Sequence, residues 1–262
     1  MKDTIIIKEL MNSLSLIKKN SFLLVVAAII DALFFIAYGF FTGPVSRKIS
    51  EHAILLSNNL SPLLAEQHAQ KGILELLFAP ELRPLTFKLT LLILLLFAIS
   101  YIIYCIFHGT SWWMAAKIAG QKWSYRDYVL GFAKINLIWL ACYVVFKAFD
   151  TFFSIRQLII EKIIPNSPNI ASKVLLAVLI LLSLSAFFSY STLKAKTLFK
   201  TKIKTSIPLA VLCAAFFIIA WTLPMTIARL TEIKELGFIL GLILIFPTII
   251  LIKVYSTRVL ND

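Results

Sequence analysis

The sequence predicts an all-α integral membrane protein. We expect a six-transmembrane-helix bundle, one polytopic domain over residues 1–262, with an N-terminal interfacial helix and short amphipathic helices in the first outer loop. Three observations predict it. Of the 262 residues, 60% are hydrophobic and only 15% charged, and the mean hydropathy is +0.90, outside the usual range of soluble domains. Apolar runs recur at the length that a hydrocarbon core demands, roughly 20 residues at 1.5 Å rise for about 30 Å. These runs lack both the two-residue alternation of barrel strands and the charged face of a soluble helix.

Residues 1–20 place Ile6, Leu10, Leu14 and Ile17 on one helical face, with Lys8, Asn12, Ser15 and Lys19 roughly opposite. That pattern predicts a helix lying along the membrane surface. The first crossing, 21–41, is uncharged except for Asp31 near its centre. Its length, its acidic residue and the lack of a small-x-small site argue against a cleaved signal peptide. The outer segment 42–88 is punctuated by Pro44, Pro62, Pro80 and Pro84, and Ile49, Ala53, Leu56 and Leu60 recur at helical spacing between them.

The second crossing, 89–107, is rich in leucine, isoleucine and aromatics, and the third, 128–149, carries Lys134 and Lys147 towards its ends. Lysines at those depths can snorkel. The fourth, 174–193, is uncharged but contains serines; the fifth, 207–228, has Pro208 and Pro224; the sixth, 236–252, has Gly237, Gly241 and Pro247. Pro208 suits a helix start, whereas Pro224 and Pro247 should bend their helices. The "GFILG" spacing puts two glycines on one face, a pattern suited to close helix packing within the bundle or, less favoured, between protomers.

With the N-terminus inside, the inner segments carry fourteen Lys and Arg and the outer segments ten, with Lys134 and Lys147 completing the twenty-six. The first outer loop is long, so its basic residues weigh less, and both termini are expected in the cytosol. The formal charge of +13 does not point to nucleic acid, because Lys194, Lys196, Lys200, Lys202 and Lys204 lie beside two membrane helices. There each could gain about 1 kcal/mol from anionic lipid headgroups. Cys105, Cys142 and Cys213 fall inside apolar runs, where they act as small hydrophobes.

The inner connection "HGTSWWMAAKIAGQKWSYRDY" gathers Trp112, Trp113 and Trp123 among basic residues. Rings with a polar edge favour the headgroup level, so the expectation is an aromatic anchor on a re-entrant or surface helix; a sharper alternative is a headgroup or ligand groove. This stretch and the opening "LMNSLSLIKKNSFLL" resemble uncharacterised prokaryotic six-helix membrane proteins similar to the membrane domain of some glycerophosphodiester phosphodiesterases. The resemblance covers about the first half of the chain. It implies a bacterial or archaeal plasma membrane, and no catalytic residue carries over, because the phosphodiesterase domain has no counterpart here.

Signatures of zinc proteases, serine hydrolases, phosphate loops and C-x-x-C pairs are missing, and three scattered histidines do not suggest a metal site or another cofactor. The halves of the chain differ in loop length and polar positions, which argues against an inverted repeat. At 1.5 Å per residue Asp31 lies roughly 15 Å deep, near Lys134, Asn136, Ser183 and Ser185 on other helices. Asp31 should therefore face the interior and meet Lys134, Asn136 or a serine of the fourth helix, with Asp127 competing for Lys134. Structural hydrogen bonding is preferred over a substrate or proton site. The expected function is a non-enzymatic accessory, scaffold or lipid-contacting membrane component, with a small transporter or permease as the alternative. A protein partner or a homo-oligomer is compatible with this pattern.

Overall fold

The computed structural model describes residues 3–66, 79–163, 170–194, 234–261 and isolated helical positions between 211 and 229. Among the described residues there is no strand. The helices are α1 (Asp3–Lys19), α2 (Ser21–Glu66), α3 (Arg83–Ile118), α4 (Tyr125–Ile163), α5 (Ile170–Thr192) and α6 (Lys234–Asn261). Five described helices, α2 to α6, contain stretches long and apolar enough to cross a membrane. Half of the fifth expected crossing, 207–228, lies outside the described residues, as do Lys196, Lys200, Lys202 and Lys204.

Every crossing helix is longer than its apolar run. α2 has 46 residues, about 69 Å at 1.5 Å per residue, more than twice a hydrocarbon core. The short separate helices expected after residue 42 are therefore not found before residue 66, because α2 simply continues through Pro44. Prolines are tolerated in such helices where local groups satisfy the backbone. Likewise His108–Ile118 is no surface helix but the last three turns of α3. Its small and apolar residues Ala115, Ala116 and Ile118 are buried, which gives that stretch a protein interior to pack in.

The chain forms two compact units, Met1–Ala32 with His108–Asp262, and Leu33–Phe107. The second contains the α2 and α3 segments whose rings Phe34, Tyr104 and Phe107 meet edge-on, with centroids 6.0 and 6.5 Å from Phe34. The first has a small-residue core where Ala27, Ala115, Ile118, Ala119, Ile250 and Val254 meet. Alanines let the backbones of α2, α3 and α6 approach closely. Elsewhere large apolar side chains face outward, as in the α2 stripe Phe22, Val25, Ile29, Leu33, Ile36 and Phe40. Exposed apolar stripes of that extent belong in lipid.

α1 is docked on α6. Leu10 packs beside Phe188, Tyr255, Val259 and Leu260, Arg258 donates to Glu9 at 2.9 Å, and Ser13 is fully buried. The expected membrane face is accordingly split, with Leu10 and Ile17 turned to protein and Leu14 exposed. Among the described residues, an added Cβ at Gly241 would meet only Ile245 of its own helix, at 3.9 Å. The surroundings of Gly237 lie outside the described residues.

α5 ends where two side chains take up its last carbonyls. Tyr128 Oη donates to Tyr190 O at 2.7 Å and Asn261 Nδ2 to Ser191 O at 3.0 Å, satisfying acceptors left open at a helix C-terminus. α3 ends differently, on Gly120 at φ +90°. The Gln121 N–H bonds to Ala116 O at 2.9 Å and the Gly120 N–H to Lys117 O at 3.1 Å, the paired bonds of a Schellman cap. Among the described residues nothing lies within 4 Å of an added Cβ at Gly120, so the penalty on Gly120→Ala comes from backbone conformation. The substitution should cost about 1–2 kcal/mol, measured as a lower unfolding midpoint in detergent.

Candidate functional site: a buried charge cluster

Asp31 lies within the apolar face of α2 that packs on α3 and α6, one turn beyond Ala27. Its side chain is 2% exposed. Oδ2 accepts from Lys253 Nζ at 2.6 Å and from Ser111 Oγ at 2.9 Å. Lys253 Nζ also donates to Ser111 Oγ at 2.7 Å, so carboxylate, ammonium and hydroxyl close a triangle. His108 Nδ1 lies 3.0 Å from Oδ1, a bond made by the Nδ1–H tautomer. The Trp112 ring flanks the group, its centroid 5.7 Å from Lys253 Nζ.

Three helices position these groups. His108 and Ser111 are three residues apart and share a face of α3. Lys253 is carried by α6, which runs on to Asn261 and buries Val254, Tyr255, Ser256 and Thr257 around it. Burying an ion pair is costly unless geometry and further hydrogen bonds compensate, and here every short contact is charge-assisted. Asp31 and Lys253 are sealed, whereas the His108 side chain is 20% exposed. It is the edge of the cluster nearest the surroundings.

The expected companions of Asp31 are elsewhere. Lys134 is exposed, because α4 turns Tyr128, Phe132, Ile135 and Asn136 inward and leaves Lys134 on its outer side. Asp127, expected to rival Asp31 for Lys134, is instead held at the start of α4, where Ser124 caps the helix: Ser124 Oγ donates to Asp127 Oδ2 at 2.6 Å and accepts from Asp127 N at 3.1 Å. Asn136 Oδ1 accepts from Tyr190 Oη at 2.8 Å. Ser185 bonds back to Leu181 O at 2.7 Å, and Ser183 is exposed. Thus Asp31 does face the interior, but Lys134, Asn136, Ser183 and Ser185 do not meet it.

The aromatic residues divide as well. Trp112 is 3% exposed and packs on Phe187 and Tyr190, with centroids at 5.0 and 6.1 Å. It is a core residue, not a headgroup anchor. Trp123 and Lys194 are exposed, and Trp113 is half-buried.

Sequence reasoning missed Lys253, Ser111 and His108. Lys253 directly follows the apolar run 236–252 and so reads as the start of a tail. The available signal was the pattern beyond it, since Ile250, Val254 and Thr257 continue one helical face.

The chemistry of the cluster is cohesive. In a hydrolytic triad histidine bridges acid and nucleophile; here His108 and Ser111 both bond to Asp31, and Lys253 donates to the hydroxyl that a base would have to deprotonate. Among the described residues, no three His, Cys, Asp or Glu gather as metal ligands. Fold and site together define a helical multi-pass membrane protein with a buried, hydrogen-bonded Asp–Lys pair. No protein-family model, curated protein or solved structure matches the chain.

Proposed function

We propose that this is a non-enzymatic accessory or scaffold component of a cell membrane, of the prokaryotic type implied by the sequence resemblance. The observation that carries this reading is the closed Asp31–Lys253–Ser111 triangle, in which every member spends its charge or proton on another. Such a group joins α2, α3 and α6. We read six crossings with both termini cytoplasmic. α5 and α6 run parallel and end together, as the Phe188–Tyr255 and Ser191–Asn261 contacts require, which supports two crossings in the same direction. Anionic lipids at the inner face are the nearest partners, and a protein partner or second copy fits an accessory role.

One observation favours the alternative, a small transporter or permease. His108 is partly exposed and bonds to Asp31, a route by which a proton could reach an intramembrane acid. Proteoliposomes holding a pH-sensitive dye under a potassium diffusion potential separate the two. Our reading expects dye responses equal to those of empty liposomes, and a discrete stoichiometric adduct on cross-linking in native membranes. Proton uptake that disappears in folded Asp31→Asn or His108→Gln protein would establish the transporter instead.

A further inference from the structure

We propose that the α3–α4 turn is a binding site for anionic phospholipid headgroups, built on Trp113 and served by Lys117, Lys122 and Arg126. The proposal rests on the membrane insertion assumed above, but not on the scaffold role. Trp113 is held from three directions. Its indole N–H donates to Trp123 O at 3.2 Å, its ring meets Tyr125 edge-on with centroids 5.2 Å apart, and Lys117 Nζ lies 5.2 Å over its face. Tyr125 is itself tied to Thr110, Oη to Oγ1 at 3.1 Å. The Gly120 cap and the Ser124–Asp127 cap fix the two helix ends between which this group sits.

Each cation belongs to this platform through a short piece of chain. Lys117 stacks on the ring, Lys122 precedes Trp123, and Arg126 follows Tyr125; all three are exposed. Trp123 and Tyr125 are 48% and 47% exposed, as suits amphipathic rings at the boundary between hydrocarbon and headgroups. The carboxylate within the turn, Asp127, is already held by Ser124. An excess of cations beside half-exposed rings matches a phosphate-bearing, negatively charged lipid better than a zwitterionic one.

The test is native mass spectrometry of the detergent-released full chain, equilibrated with equimolar phosphatidylglycerol and phosphatidylcholine. The wild type should retain phosphatidylglycerol at least tenfold in preference. Lys117→Gln/Lys122→Gln/Arg126→Gln protein should lose most of that preference, whereas Arg47→Gln/Lys48→Gln/Lys88→Gln protein, with the same change in net charge, should keep it. Should the first triple variant misfold, Lys122→Gln alone, placed on the connector outside any helix, should lower the preference at least twofold. Absence of preference in the wild type, its survival in the first variants, or equal loss in both triples would overturn the proposal. Co-flotation with phosphatidylcholine vesicles reads insertion separately: its failure would undo the membrane reading itself, not the lipid preference alone.

Discussion

Asp31→Asn and Lys253→Met should each destabilise the detergent-solubilised protein by about 3–5 kcal/mol. Each change leaves the other partner charged, 2–4% exposed and without its counter-ion, and that stranded charge accounts for most of the loss. Ser111→Ala should act less strongly, by about 1–3 kcal/mol, because Asp31 and Lys253 keep their direct bond while each loses one hydroxyl contact. Denaturant or thermal unfolding of the three variants in one detergent gives the ranking. Equal, small effects at Asp31 and Lys253 would show that the pair is solvated and the cluster loose.

Trp112→Ala should cost about 3–5 kcal/mol, the range for removing a large aromatic side chain from a packed core. The ring fills the space between Phe187, Tyr190 and Lys253, and its removal leaves both a void and a poorly covered ammonium. Trp123→Ala, at a ring 48% exposed, should change stability by less than about 0.5 kcal/mol. The contrast is informative because the two residues belong to the same aromatic stretch of the sequence. Comparable unfolding midpoints for the two variants would contradict the assignment of Trp112 to the core.

That stretch also illustrates how far the sequence could be read. The helical membrane class, and the centres of the apolar runs that α2 to α6 contain, follow from length and hydropathy, since hydrocarbon imposes both. The helix ends do not follow. Nothing in bilayer thickness stops α2 at residue 41 or starts α3 at residue 89, because a helix can continue as far as local propensity and packing support it.

The interior position of Asp31 was legible from the cost of a carboxylate in lipid, but its partner was not. Lys134 and Lys253 look alike in the sequence, each a lysine at the edge of an apolar run. What separates them is which helix face is inward. α4 offers Phe132 and Asn136 to Tyr190 and turns Lys134 out, whereas α6 keeps Ile250 and Val254 against Ala27 and draws Lys253 in. Such a choice depends on contacts between segments 222 residues apart, which periodicity along a single run does not encode.

A double-mutant cycle across Asp31 and Lys253 tests the central claim most directly. Asp31→Asn/Lys253→Met protein should lose clearly less stability than the sum of the two single losses, with a coupling of about 1–3 kcal/mol, because removing both charges leaves none stranded. The parallel cycle of Asp31→Asn with Lys134→Met should be additive within about 0.5 kcal/mol. Additive losses at Asp31 and Lys253, or coupling that appears instead with Lys134, would contradict the account.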